Sequence, residues 1–530
     1  MDLEQQGLNS VQRKRGQPFD IEKYPPPVRD LIREKLRPVD AIVAGLPRSF
    51  KMYTTFAICQ GRGFLRALGR RKDWEYISYK CALTLEPYSI LKNPHVDVTS
   101  AYLSPLDRLV AEKMGKTVAH LPRQFIQFGE TLREDGIVDL FVHTATPPDR
   151  NGYVNLGLNC ETVPGSLRHF KRTGKVRVIL EINCHMPWVM GHEDSDYNRW
   201  HLSDVDCIYE NHQPLPELPP LKVSGVEQRI AENVLPYIED GDTIQLGIGG
   251  VPNYIAEHLR DRRDLKIHSE MITDSMVDLV ECGAVTNHGK PYMDGLLVGS
   301  FAAGTNKLYD WLDRNPRAVL LPITATNDSH VIARHPCMKS INSGVTVDLF
   351  GQVCSDAVSY KQISGIGGQL EFVVGAQLSP GGRSILCIKS CSTWNGARRS
   401  NIVCNLPPGS PVTVPRQYAD VIVTEYGAAE LKHLDSIERA HALIAIAHPD
   451  CRDDLRREAG EAGLLTRRPG FDTFMKRAIY NNLPYVIQFK QRLSGPPLRR
   501  AGTVLAELRR LAATPNLLRK IWEFYTHNRS

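Results

Sequence analysis

Apolar residues in this sequence fall in short β-branched runs, separated by longer segments where they recur with helical spacing. DAIVAGL (40–46), GIVDLFVHTA (136–145) and KVRVILEIN (175–183) are the clearest runs of the first half. Such alternation predicts a largely parallel sheet covered by helices. The rhythm stops at HQPLPELPP (212–220), whose prolines favour an extended connector. It then restarts. GDTIQLGIGG (241–250) reads as a strand running into a glycine turn. VPNYIAEHLRD (251–261) reads as a helix with Pro252 near its first turn, where proline is tolerated. DLKIHSEM (264–271) is the next expected strand. TDSMVDLVECG (273–283) is the next helix, with Thr273 or Asp274 as N-cap and Gly283 as stop. AVLLPIT (318–324), SILCIK (384–389), PVTVP (411–415) and ADVIVTEYG (419–427) supply further strand candidates.

The expected fold class is α/β, with two open, mostly parallel α/β domains and a C-terminal helical extension. The expected bounds are a polar tail over 1–20, a first domain over 21–211, a linker over 212–224, a second domain over 225–470 and the extension over 471–530. Length agrees, since 530 residues exceed what one compact core usually holds. The extension is basic. From Gln491 onward it carries eight Lys/Arg against two Glu. Two amphipathic helices, 502–513 and 516–526, are expected around Pro515. They read as a pair docking on the body or on a dimer partner, with a membrane-surface helix as the alternative.

Composition narrows the function classes. A 42% hydrophobic, 23% charged chain is an ordinary soluble globular protein. The net charge of +6 is mild, and no basic run is interleaved with aromatics, so nucleic acid is not an expected partner. No run approaches the ~20 apolar residues of a membrane span. The first residues lack the apolar core of a secretory signal, and Asp2 and Glu4 fit a transit peptide poorly, so a cytoplasmic location is expected. Twelve cysteines form no CxxC pair, and the nearest two, Cys387 and Cys391, have no second half-site. They read as reduced structural residues, and no metal site is expected.

Three segments can carry chemistry. The first is Gly247-Ile248-Gly249-Gly250-Val251-Pro252, between a strand and a helix. Such a turn offers backbone N–H groups and a helix N-terminus to an anion, or merely permits tight packing. Its spacing is not the GxGxxG of dinucleotide folds. The second, Ser364-Gly365-Ile366-Gly367-Gly368-Gln369, is too glycine-dense for a simple hairpin. Donors from two such loops can converge on one oxyanion, as acyl transfer requires. Between them lies His268-Ser269-Glu270-Met271. A carboxylate after a strand and before a helix sits where open α/β sheets place active sites, although a surface salt bridge or helix cap would also use one. A Ser–His pair is disfavoured, because neighbours in a strand point to opposite faces and no GxSxG elbow is present.

Six runs in order then carry a resemblance across residues 240–455: IQLGIGGVPN, IHSEMITDSMVDLVECGAV, INSGVTVDLFGQVCSDAV, SGIGGQLEFVVGAQLSPGG, VIVTEYGAAEL and RAHALIAIAHPDCR. They resemble the acetyl-CoA hydrolase/transferase family, class I CoA-transferases that include 4-hydroxybutyrate and succinyl-CoA:acetate CoA-transferases. In the first half the similarity rests on HTATPPDRNGYVNLG (143–157) and LEINCHMP (180–187), and residues 1–130 and 470–530 match poorly.

The resemblance implies that Glu270 attacks an acyl-CoA thioester and then carries CoA as a glutamyl thioester. It implies oxyanion or thioester donors at Ile248, Gly249, Gly367 and Gly368. Asn327, Gly247, Gly365 and Lys389 would contact substrate or CoA. Lys361, Arg398 and Arg399 are further candidates for the phosphates, each otherwise a solvated surface charge. Acyl-CoA and a small carboxylate such as acetate are the implied partners, with a homo-oligomer, a dimer, as the implied assembly. No cofactor or metal beyond coenzyme A as substrate is implied. Three departures bear on acyl specificity: GVTVD replaces an AIEVD-like segment, Glu371-Phe372 replaces the usual DF, and the tyrosine before Asn327 is not evident. The alternatives are an acyl-CoA hydrolase using the same glutamate and a CoA-binding protein that has lost catalysis.

Overall fold

Seven parallel strands make the first sheet: β1 (Ser49–Thr54), β2 (Tyr76–Cys81), β3 (Val96–Ser100), β4 (Val118–His120), β5 (Leu140–Ala145), β6 (Arg177–Ile182) and β7 (Cys207–Glu210). Their order is β4-β3-β2-β1-β5-β6-β7. The computed structural model describes residues 15–465 except 19, 116, 129–137, 161–162, 192–197, 248 and 395, all within one compact unit. Period-two alternation explains why the sheet is covered on both sides. Met52, Tyr79, Val142 and Ile179 enter one core, while Tyr53, Phe141, Leu180 and Ile208 enter another. Every residue of β5 is buried.

The second sheet holds β8 (Thr243–Leu246), β9 (Lys266–Ile267), β10 (Met338–Ser343), β11 (Arg383–Cys387), β12 (Val421–Thr424) and β13 (Gly427–Glu430). Its order is β9-β8-β10-β11-β12-β13, parallel except for the terminal β12–β13 hairpin. The open, mostly parallel α/β fold class expected from the sequence is the one observed. Between the sheets, residues 211–224 have no regular structure, as the prolines foretold. That stretch is nonetheless pinned: Asn183 donates to the Gln213 carbonyl, Tyr309 to that of Pro216, and the Leu218 N–H to Gly304.

Three expectations need correction, and one strand was not foreseen. DAIVAGL is not a strand: its first five residues lie in the Val39–Ala44 helix, preceded by Pro38, with Asp40 in its first turn and Ile42 and Val43 buried. DLKIHSEM is not one strand: it splits into β9 and a short Met271–Ile272 strand paired with Phe301–Ala302. The split arises because its peptide groups change partners. The Ser269 N–H bonds the Val298 carbonyl, and the Glu270 carbonyl accepts from Ser300 and Phe301. PVTVP adds no strand, only an isolated bridge from Val414 to Val353, since Pro411 and Pro415 lack donors for a ladder. Strand β10, MKSINS, lies inside the second sheet although its pattern is polar.

The polar tail over 1–14 and the region from 466 onward, including the helices expected over 502–513 and 516–526, lie outside the described residues. Among the described residues, no helix is long and apolar enough to cross a membrane.

Candidate active site

The carboxyl ends of strands from both sheets open on one cavity of about 200 Å³. From the first sheet come Phe56 after β1, Ala82 and Leu83 after β2, Ala101 and Tyr102 after β3, and Arg123 and Phe125 beyond β4. From the second come Gly247 after β8, Glu270 beyond β9, and Asn342 and Ser343 at the end of β10. Parallel α/β sheets place ligands at this edge because the strands end there and loops of free shape begin.

Glu270 stands on the wall of this cavity. Its Oε2 accepts a 2.6 Å hydrogen bond from Asn327 Nδ2, and the Gly368 N–H donates to the same carboxylate. Burial pushes the Glu270 carboxyl up to about 7, while these two donors pull it down. Asn327 is fully buried, and its amide is oriented by Thr326, whose hydroxyl donates to Oδ1 at 3.1 Å. The Thr326 carbonyl lies 2.8 Å from Nε2 of His268, which is buried neutral against His335. His268 thus braces Asn327, whereas Ser269 faces the Leu246 carbonyl on the other side. The two side chains diverge as strand neighbours should, so no Ser–His nucleophile forms.

Gly368 explains the glycine density of the second loop. A Cβ there would sit 2.0 Å from both Asn327 Nδ2 and Glu270 Oε2, so any side chain displaces the pair. It is also the N-cap of the ten-residue Gln369–Leu378 helix, which turns its positive end toward the carboxylate. Gly365 has a different reason: its Cβ would meet the Ala101 carbonyl at 2.2 Å, so the loop closes against the β3 end. The Gly367 carbonyl accepts from the Phe125 N–H at 3.2 Å, a second clasp between the halves. Three rings extend that clasp. Phe56 lies edge-on to Phe301 at 4.8 Å and to Phe125 at 5.4 Å.

A second carboxyl adjoins the site. Glu371 is 5% exposed in the first turn of the Gln369–Leu378 helix, with Oε1 3.4 Å from the Ile126 N–H and Oε2 unpartnered among the described residues. Burial, reinforced by the charge on Glu270, pushes it up to about 8. A charge on Glu270 thus makes ionisation of Glu371 harder.

The chain has known relatives. The acetyl-CoA hydrolase/transferase N-terminal domain matches residues 111–219, and the corresponding C-terminal domain matches residues 304–459. The 4-hydroxybutyrate coenzyme A transferase of Clostridium kluyveri is 42% identical over 322 residues, covering 61% of this chain and 72% of that one. The chain belongs to the acetyl-CoA hydrolase/transferase family. Within that family, succinyl-CoA:cyclohexane-1-carboxylate CoA transferase of Geobacter metallireducens is 34% identical over 399 residues, covering 75% of this chain and 88% of that one. Among solved structures, RipA from Yersinia pestis superposes with a TM-score of 0.74 at 31% identity, covering 83% of this chain and all of the other.

The family-derived residues do not all meet. Glu270, Asn327, Gly247, Gly365, Gly367 and Gly368 come together at the cavity. Ile248 lies outside the described residues. Gly249 caps the Gly250–His258 helix at φ +126°, a left-handed conformation suited to glycine, just behind Gly247. Lys389 is not on the cavity wall; it forms a 3.0 Å ion pair with Glu227. Lys361 pairs with Glu112 and Arg398 with Asp450, and Arg399 is exposed on the same hairpin as Arg398. Among the described residues the cation that does line the cavity is Arg123. Residue reading missed it, along with Tyr102, Phe125 and Gln245. Nothing local marks Arg123 in LPRQF, and Gln245 is held at the cavity through β10, where Ser340 and Asn342 both donate to its Oε1 at 3.0 Å.

Proposed function

We propose that this enzyme is a CoA-transferase that moves CoA between an acyl-CoA and a small carboxylic acid through a glutamyl-CoA thioester on Glu270. At the coarser level, CoA transfer or hydrolysis follows from membership of the acetyl-CoA hydrolase/transferase family. The observation that carries the finer reading is a carboxylate held by Asn327 Nδ2 and the Gly368 N–H at the wall of a mostly apolar cavity.

The chemistry is balanced. A Glu270 oxygen attacks the thioester carbonyl, the C–S bond breaks, and CoA leaves as thiolate from an acyl-glutamyl anhydride. The thiolate then attacks the glutamyl Cδ and expels the acyl group as a carboxylate, leaving CoA on Glu270. An acceptor carboxylate runs the same steps in reverse. The Gly368 amide at a helix N-terminus is suited to the negative oxygen of each tetrahedral intermediate. Arg123 offers its charge to an anionic part of the substrate. The apolar rings limit water, which would otherwise hydrolyse the anhydride.

The test is incubation with acyl-CoA, proteolysis and mass spectrometry. The peptide holding His268–Met271 should gain the mass of CoA, lose it to hydroxylamine, and gain nothing in Glu270→Ala. Turnover should rise with added acetate or another carboxylate. Equal turnover without any acceptor would make the enzyme a hydrolase, and full activity in Glu270→Ala would sink the covalent mechanism.

A further inference from the structure

Away from the cavity, the fold joins three side chains that the sequence keeps apart. Cys391 opens the hairpin formed by Cys391–Trp394 and Ala397–Ser400. His448 and Cys451 bracket the turn at Pro449–Cys451. Their ligand atoms all lie within 4.8 Å of one another, and the two sulfurs are 3.9 Å apart. None of the three lines the cavity.

That sulfur spacing is informative. Two thiolates on one tetrahedral zinc, with bonds of ~2.3 Å, stand about 3.8 Å apart, whereas disulfide sulfurs stand at ~2.05 Å. Eight of the twelve cysteines are buried, but Cys391 and Cys451 are partly exposed, as is His448. A solvent molecule can therefore reach a fourth position. The imidazole is oriented: the Asp450 N–H donates to its Nδ1 at 3.2 Å, and the Asp450 carboxylate lies 3.7 Å away. Tyr426 packs edge-on against the ring at 5.3 Å. The backbone bond and the Tyr426 ring together fix where the imidazole points.

We propose that Cys391, His448 and Cys451 bind a thiophilic divalent cation, zinc(II) by the chemistry of the donors, with water as the fourth ligand. Two sulfurs and one imidazole disfavour magnesium and calcium, which take oxygen. Binding releases the two thiol protons to solvent and changes no oxidation state. The ion fastens the hairpin to the 448–451 turn. Ser390, adjacent to Cys391, holds Glu425 at 2.6 Å, and Lys389 holds Glu227, whose carboxylate abuts Gly250 of the first glycine turn. The site is thus a structural clamp behind that turn.

The test uses the full chain, reduced, stripped with a chelator and then titrated with zinc(II) or cobalt(II). One ion per chain should survive desalting, and cobalt should give the intense d–d bands of a tetrahedral thiolate site. Cys391→Ser, Cys451→Ser and His448→Gln should each weaken binding at least about tenfold, with unchanged circular dichroism showing that the variants fold. Cys451→His, which keeps a ligand, should rescue binding, and a change at the exposed Cys282 should not affect it. Three outcomes would overturn the site: no retained ion, equal retention in Cys391→Ser, or a Cys391–Cys451 disulfide that forms equally fast with and without zinc.

Discussion

On the side of the second sheet, Glu270 is fixed by the Asn327 amide and the Gly368 N–H, and Asn327 is itself braced through Thr326 by His268. On the side of the first sheet, Phe56, Ala82, Leu83, Ala101 and Phe125 present carbon, with Tyr102 and Arg123 as the polar additions. The first wall holds the Glu270 carboxylate through directional bonds, where a misplacement of an ångström would be costly to chemistry placed there. The second shapes the space and excludes water, and rings of other sizes could do that. On the proposed mechanism the chemistry resides in one wall and acyl selectivity in the other.

The comparison can be broken most sharply at the nucleophile. Glu270→Ala should lower kcat at least about a thousand-fold with little change in thermal stability, as steady-state kinetics beside calorimetry would show. Residual transfer close to wild type would remove the distinction between the walls. Gly368→Ala comes next, because its methyl must displace both the carboxylate and the amide. A loss of about a hundred-fold is expected, together with about 1–3 kcal/mol of stability in urea titration.

Asn327→Ala should act more gently and with a diagnostic sign. On the proposed mechanism Glu270 attacks as the carboxylate, so kcat/KM should rise with pH through the value near 7 to which burial raises it. Losing the Asn327 donor removes a lowering influence, so the ascending limb should move to higher pH. A profile that stays in place would mean that Asn327 orients substrate only. On the other wall, Phe125→Ala should leave CoA labelling of Glu270 intact. It should change the ratio of kcat/KM between short and longer acyl-CoA substrates by roughly tenfold, measured by competition; an equal loss for every substrate would place Phe125 in the chemistry instead.

The smallest effect concerns stability. His335, buried without hydrogen-bond partners for its ring nitrogens among the described residues, is lowered to about 3, and His268 is lowered by burial as well. In the unfolded chain both take a proton below their ordinary value of 6.5. The contribution of these two histidines should therefore be flat above that pH and fall progressively below it, toward about 3. His335→Leu should blunt this fall in thermal scans across pH, and a wild-type slope in that variant would assign the acid sensitivity elsewhere.

How much of this was readable depends on the range of the interaction. The β8 strand, its glycine turn and the following helix were legible because alternation, glycine and Pro252 are local signals. The positions of Glu270, Gly365, Gly367 and Gly368 were legible through family order. The helix at Val39–Ala44 was misread because a run of that length satisfies both periods, and only burial of Ile42 and Val43 decides between them. Strand β10 escaped notice because its Ser340 and Asn342 are paid for by Gln245, a partner 95 and 97 residues away.

The sequence by itself determined the α/β class, the extended connector and the two glycine loops, which rest on spacing along the chain, while family order singled out Glu270. Tertiary structure alone decided which residues face Glu270 from the first half, that Lys389 answers Glu227 rather than the cavity, and that Cys391 meets His448 and Cys451. The reason is physical: hydrogen-bonded periodicity is a property of neighbours, whereas a cavity wall and a ligand cluster are made where strand ends distant in sequence are brought together by burial of the sheets between them.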